Sequence, residues 1–339
     1  MSPNSDCDPH LLRPLRSVLF DSDATNEAFA VALSGGPDSA MLAVHAARLA
    51  ASSGRVMHCF HIHHGLQHVA DDWQTHAHRL ASRLGVSCHS LRVDVDLGRG
   101  DGVESAARSA RYRGLARLAA QTGVRQICLA HHQDDQAETV LLRLLRGAGP
   151  QGLSAMAPES VRDGVQYLRP WLDVPRARIV AAAAAFAQRA AWAPVEDPTN
   201  HDPKYTRSAL RTQLAPVLDE RWQGWQGVLA RHARQSRELM ELVEGLALED
   251  WQRIEPAPDG LSFSLAAWRT LAPARQAMVL RHWLDRHGLH APTDARLAEL
   301  MRQLRGLHAL GHDRGMKLKH GDAWITCVRG RVILILKKQ

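Results

Sequence analysis

Along the first half of the chain, short apolar runs alternate with longer stretches in which apolar residues return every three or four positions. The runs at 28–33, 56–62, 86–93 and 126–130 have the length of strands. The stretches at 41–51, 71–84, 103–121 and 134–146 have helical periodicity, and Gly147 stops the last one. Strand and helix in strict alternation predict a parallel sheet, because each crossover must carry the chain back to the same end and lays a helix on the way. The expected fold class is therefore α/β, with a doubly wound parallel sheet.

The pattern changes after Arg169. Residues 169–218 mix Pro with an Ala-rich helical stretch at 179–191 and the polar segment VEDPTNHDPKYTRSALR. Beyond Arg221 the periodicity is mostly helical, with amphipathic stretches at 229–248 and 273–287. The last 25 residues alternate and are rich in β-branched side chains, which predicts a terminal β-hairpin. A boundary near Trp225 follows, with a domain at 1–224 and a mainly helical one at 225–339. No internal repeat is visible.

Composition narrows the class. A chain of 339 residues with 45% apolar content can bury a real core. No run of eighteen uncharged apolar residues exists, which argues against a membrane span, and the N-terminus has no apolar core of a signal peptide. Five scattered cysteines form no disulfide framework, so a reducing cytoplasm is expected. The net charge is +7, and only five of the 42 basic residues are Lys. Arg grips phosphate with two donors at once, which suits a nucleic-acid partner, although a GC-rich genome would give the same bias.

The sharpest local feature is Ser34-Gly35-Gly36-Pro37-Asp38-Ser39, directly after a strand and opening a helix. Two glycines allow a tight turn that presents N–H groups to phosphate oxygens, and the helix dipole favours negative charge there. Ser34 and Ser39 add hydroxyl donors. Bare phosphate would repel Asp38, so its presence implies a bridging Mg²⁺ or a loop-orienting role. There is no Gly-Lys-Ser/Thr of a Walker A loop and no GxGxxG spacing.

A second cluster, HHQDDQAET, follows the fourth strand. Ligands of parallel sheets bind at the carboxyl ends of strands, where both segments fall. Asp134 and Glu138 are four apart, Asp135 and Glu138 three apart, so carboxylates converge on one helix face. At the end of the second strand, Cys59, His61 and His63 share a face, which invites a zinc reading. Three ligands along one strand cannot readily surround a tetrahedral ion, and a loop lining the nucleotide pocket is the preferred reading.

The residues SGGPDS after AFAVAL resemble the pyrophosphate-binding loop of the PP-loop ATPases. That resemblance implies ATP as substrate, attack at the α-phosphorus and transfer of AMP. FHIHHGLQ, ESAARSARYRGL, LAHHQDDQAETVLLRLLRGAGPQGLSAM, RPWLDVPRARI and EDPTNHDPKYTRSALRTQLAPVL then occur in that order. Together, over residues 28–220, they are similar to the tRNA(Ile)-lysidine synthetase family. The resemblance implies attachment of free lysine to the wobble cytidine of an isoleucine tRNA with a CAU anticodon. It also implies that 1–224 is the PP-loop ATP-binding catalytic domain and 225–339 a tRNA-binding domain. A homodimer is left open by the sequence.

In such a reaction AMP transfer onto the C2 oxygen makes C2 electrophilic and turns the oxygen into a leaving group. A lysine ammonium, with an ordinary pKa of about 10.4, must lose a proton before it attacks. Carboxylates are needed to attract it and to help remove the proton. Asp135 and Glu138 are the candidates for lysine, with His132 as proton acceptor or phosphate contact and Asp38 as catalytic residue and Mg²⁺ ligand. Ser34, Gly35, Gly36, Pro37, Asp38 and Ser39 are expected to bind ATP. Arg111 and Tyr112, on a helix with Glu104 and Arg108, together with Arg207 and Arg211, are expected to bind substrate. Two rivals stand beside this: a tRNA 2-thiolation enzyme of the same class, for which no CxxC is present, and a non-enzymatic nucleotide-binding module.

Overall fold

A computed structural model of the chain describes residues 7–20, 27–65, 69–95, 103–190, 192–195, 204–290, 292–307 and 315–337. It divides into two compact units, Met1–Ser236 and Arg237–Gln339.

The first unit is built on six strands: β1 (Phe29–Ala32), β2 (Met57–His63), β3 (Ser87–Arg92), β4 (Gln126–Cys128), β5 (Glu159–Arg162) and β6 (Val165–Leu168). Their order is β3-β2-β1-β4-β6-β5, parallel except for β5, which runs antiparallel to β6. The helices are α1 (Pro9–Phe20), α2 (Pro37–Ser53), α3 (Ala70–Leu84), α4 (Val103–Thr122), α5 (Gln133–Leu145), α6 (Pro150–Leu153) and α7 (Arg176–Ala190). Then come α8 (Thr206–Ala209), a π-helical turn (Leu210–Leu214), α9 (Ala215–Arg221) and α10 (Trp225–Arg253).

Period-two alternation splits the sheet residues between two apolar layers. Phe29, Val31, Cys59 and Cys128 pack with Leu11 of α1, Met41 of α2, Leu80 of α3 and Ile179 of α7. Ala30, Phe60 and Ile127 face the other way, onto Tyr112, Leu115 and Leu118 of α4. The sheet is therefore covered on both faces, as expected. Strand order reverses at β1: the chain leaves it for β2 on one side, while β4 pairs on the other. Such a reversal opens a crevice at the carboxyl ends of the two central strands, where an α/β sheet holds its ligand.

The sequence reading missed several elements here, the β5–β6 hairpin and α1 chief among them. The β5–β6 hairpin is short, and three of the four β5 residues are exposed, so its apolar content is low. Its signal is Asp163-Gly164, both at positive φ (52° and 74°), the dipeptide that a tight hairpin turn requires. Helix α1 carries Leu11, Leu15 and Leu19 at helical spacing, all fully buried, and an internal Pro14 masks it.

The expected boundary near Trp225 falls at the start of α10, whereas the compact units divide farther along the same helix, between Ser236 and Arg237. Trp225 itself is buried with Ala137 of α5 and Leu210, inside the first unit.

The second unit gathers Trp251, Phe263, Trp268 and Trp283 into its own core. It contains β7 (Ser262–Ser264), α11 (Leu265–Arg269), α12 (Pro273–Arg286), α13 (Asp294–Gly306), β8 (Lys317–His320), β9 (Ala323–Val328) and β10 (Arg331–Leu336). The expected terminal hairpin is β9–β10, turning through Arg329 and Gly330, and it is the middle of a four-stranded antiparallel sheet of order β7-β10-β9-β8.

Candidate active site

The loop after β1 is shaped by its glycines. Gly35 has φ +95°, and a Cβ there would stand 3.1 Å from Val195 Cγ2, so any other residue would be both strained and crowded. The Val195 N–H donates to Gly35 O at 3.0 Å and holds the turn. Ser34 N–H donates to Ser39 Oγ (3.1 Å), and the two hydroxyls lie 3.0 Å apart. Gly36 is the N-cap of α2 with no side chain accepting from the first turn, which leaves those N–H groups for a ligand. Asp38, in that first turn, has Oδ2 at 3.8 Å from His132 Nε2 and 3.6 Å from Arg176 Nε. Its Oδ1 is buried without a hydrogen-bond partner.

Across the crevice, α5 begins with a reciprocal cap. The Asp135 N–H donates to His132 Nδ1 (3.3 Å) while the His132 N–H donates to Asp135 Oδ2 (3.1 Å). Because Nδ1 accepts, the proton of the neutral ring sits on Nε2, which points at Asp135 Oδ2 (3.4 Å) and Asp38. His132 thus ties the two candidate segments together.

Asp135 and Glu138 do converge, and Arg211 bridges them. Its Nε donates to Glu138 Oε1 at 2.6 Å and its Nη2 to Glu138 Oε2 at 2.9 Å and Asp135 Oδ1 at 3.2 Å. Burial raises the Glu138 carboxyl above the usual range, against the pull of Arg211. Burial also pushes Asp135 upward, but His132, His131 and Arg211 outweigh it, and its pKa lies below the ordinary value. Arg207 donates to Thr139 Oγ1 at 3.4 Å, one turn along α5. Helix α8, which carries Arg207, and the π-helical turn after it, which carries Arg211, therefore place the two arginines beside α5.

Arg111 and Tyr112 part company. Arg111 is exposed on α4, whereas Tyr112 is buried edge-on against Tyr167, with ring centroids 4.9 Å apart. Arg108 and Arg169 donate to the Tyr112 hydroxyl at 3.4 and 3.3 Å. Burial raises that hydroxyl's pKa, but the two cations prevail and hold it below the usual phenol range. The Glu104 side chain and residues 196–203 lie outside the described residues.

The zinc reading finds no support at β2. His61 Nδ1 pairs with Leu33 O (2.8 Å), His63 Nε2 with Asp71 Oδ1 (2.9 Å), and Cys59 is buried with its thiol pushed up. Among the described residues no group of three His, Cys, Asp or Glu is arranged to hold a metal.

Sequence reasoning missed Arg176, which reaches Asp38; His131, in the HHQDDQAET cluster, and His64, in the loop after the second strand, lie in segments it did single out. Both rings have an Nδ1 that is buried and unpaired. Burial and neighbouring cations depress His131 to about 3 and His64 to about 4. The signal for Arg176 lay in RPWLDVPRARI; nothing in the histidines' own spacing distinguished them.

Residues 8–218 match the PP-loop domain family, and residues 263–333 match the TilS substrate binding domain family. A tRNA(Ile)-lysidine synthase from Bordetella bronchiseptica is 57% identical over 96% of this chain and 94% of its own. The Bordetella pertussis protein of that name is 58% identical over 94% and 99%. The one from Ralstonia nicotianae is 45% identical over 87% of this chain but only 64% of its own length. A U34-tRNA thiolase from Methanococcus maripaludis shares the fold, with a TM-score of 0.56 at 16% identity over 68% of this chain and 78% of that one. No helix among the described residues is long and apolar enough to cross a membrane.

Proposed function

The chain belongs to the tRNA(Ile)-lysidine synthase family, and from that premise we propose how its residues divide the reaction. ATP lies with its pyrophosphate end in the Ser34–Ser39 turn, against the free N–H groups of α2 and the Ser34 and Ser39 hydroxyls. Asp38 is the residue that would hold Mg²⁺, and its buried, unpartnered Oδ1 fits a cation. When bound, the ion neutralises phosphate charge. His132, whose Nδ1 is already used by the cap, donates from Nε2 and is a phosphate contact rather than the proton acceptor.

The wobble cytidine of the CAU-anticodon isoleucine tRNA presents its C2 oxygen to the α-phosphorus, and pyrophosphate leaves. The ε-amine of free lysine then attacks C2, and AMP departs with the oxygen. Asp135 and Glu138, bridged by Arg211, are the carboxylates that attract the lysine ammonium. Glu138, its pKa raised by burial, is the better placed of the two to take the proton. Arg207 and Arg211 set the cluster's charge, and Arg111 stands exposed for a phosphate. The Tyr112 ring and hydroxyl hold Arg108 and Arg169 in place.

The single observation that carries this reading is the Arg211-bridged carboxylate pair beside the phosphate turn. A thiolase would need a persulfide-forming Cys or cluster-binding CxxC pairs. Cys59, Cys88 and Cys128 are not in CxxC pairs, and burial pushes the latter two up to about 12. A nucleotide-binding module without catalysis would have no use for the carboxylate pair. The reading places the enzyme in the cytoplasm, with unit two holding tRNA. Incubation with ATP, labelled lysine and total tRNA should put label into a single modified cytidine. Label-free tRNA with ATP consumed would overturn it.

A further inference from the structure

The second unit's sheet has two unlike faces. Ala323, Ile325, Cys327, Val332 and Leu334 point inward to the Trp268–Trp283 core. The alternate residues point outward, and register groups them into rows: Lys319 opposite Trp324 opposite Ile335, then Lys317 opposite Thr326 opposite Ile333. Trp324 is 37% exposed, Val328 and Ile335 are about half exposed, and both lysines are exposed. Lys317 Nζ lies 4.6 Å from the centre of the Trp324 ring. The Thr326 hydroxyl between them has no hydrogen-bond partner.

An indole on an open sheet face costs solubility, and two cations beside it repel one another. Both features are relieved by one kind of partner: an unpaired nucleotide, which offers an aromatic face to the ring and a phosphate to the ammonium. We propose that the outer face of this sheet is a single-stranded RNA platform, on which an unpaired base of the tRNA stacks on Trp324 while Lys317 and Lys319 take the adjoining phosphates. In the free protein Lys317 rests over the ring by a cation–π contact. On binding the base takes that place, and the ammonium moves to phosphate. The inference rests on the tRNA-binding reading of this unit and gives it residues.

The test is binding of the full chain to tRNA at several salt concentrations, with lysidine formation followed in parallel. Trp324→Ala should weaken binding roughly tenfold to a hundredfold at every salt concentration and leave the salt slope unchanged. Trp324→Phe should restore most of the affinity. Lys317→Ala should flatten the slope of log affinity against log salt by about one charge. An unchanged tRNA affinity in a folded Trp324→Ala protein that still makes lysidine at saturating tRNA would overturn the platform and leave the enzyme assignment standing. A change in self-association without a change in RNA binding would overturn it in favour of a protein interface. If the native chain makes no lysidine, the enzyme assignment fails, and the Trp324 series still decides whether this face binds RNA.

Discussion

The two sheets of this protein solve opposite problems. At the carboxyl end of the parallel sheet the polar groups are bonded to one another before any substrate arrives, and Ser39, His132, Asp135 and Glu138 are buried: Ser34 to Ser39, His132 to Asp135, Arg211 to Glu138. On the antiparallel sheet, Trp324, Lys317 and Lys319 stand outward on an exposed face. A site that must orient reacting atoms needs groups fixed in advance, because preorganised dipoles act without reorganisation. A surface that only holds a long flexible polyanion gains more from exposed charge and one stacking ring. The difference separates chemistry from grip.

The largest effect should come from the phosphate turn. Asp38→Ala should lower AMP formation by at least about a hundredfold to a thousandfold with the fold intact, as measured by turnover and circular dichroism. Ser39→Ala should act in the same direction. Near-normal turnover in folded Asp38→Ala would remove the phosphate turn from the chemistry.

Glu138→Gln comes next. It keeps the shape but removes a charge, so the KM for lysine should rise about tenfold to a hundredfold and that for ATP far less. If the ATP requirement rises instead, the carboxylates serve the metal. Arg211→Ala sharpens the same point through pH. Removing the cation takes away the force that lowers the Glu138 pKa, so that pKa rises further. The acid limb of the activity profile should move to higher pH, and an unmoved limb would show that Glu138 does not titrate in the reaction.

Trp225→Ala tests where the first unit ends. Its ring is buried behind α5, and Nε1 donates to Asp219 Oδ1 at 2.8 Å. Truncation to Ala should cost about 3–5 kcal/mol by chemical unfolding, and a fragment ending at Gly224 should lose the carboxylate site with it. A fragment ending at Ser236 retains the ring.

The smallest effect concerns His64 and His131. Their folded pKa values, about 4 and about 3, lie below the ordinary 6.5. The unfolded chain therefore takes up protons that the folded chain refuses, and stability present above pH 6.5 is lost as pH falls toward those values. His131→Asn should flatten that loss by roughly 1.4 kcal/mol per pH unit, seen in unfolding midpoints between pH 6 and about 4. An unchanged slope would mean that the ring is not held neutral.

Most of the first sheet was legible because its central strands are mostly buried and apolar and its helices long. β5 was not: Glu159 and Arg162 make an edge strand look like a loop. The phosphate turn could be read from Gly35, Gly36 and the strand before them, since backbone conformation dictates residue type there. The carboxylate pair was legible as helical spacing. What spacing could not give is that Arg211, seventy-three positions along the chain from Glu138, closes the cluster. It also could not show that the His132 Nδ1 is occupied by a backbone N–H, which changes that residue from acceptor to donor. In the second unit, alternation announced β9 and β10, but the face that Trp324 shares with Lys317 depends on register with β8.

The division between chemistry and grip is tested most directly by measuring two quantities on two full-length variants: tRNA affinity and AMP formation at saturating tRNA, for Asp38→Ala and Trp324→Ala. Asp38 and Trp324 belong to different compact units and the account gives them separate roles, so Asp38→Ala should keep its tRNA affinity within about twofold while losing AMP formation, and Trp324→Ala should do the reverse. Loss of both quantities in either variant would contradict the account.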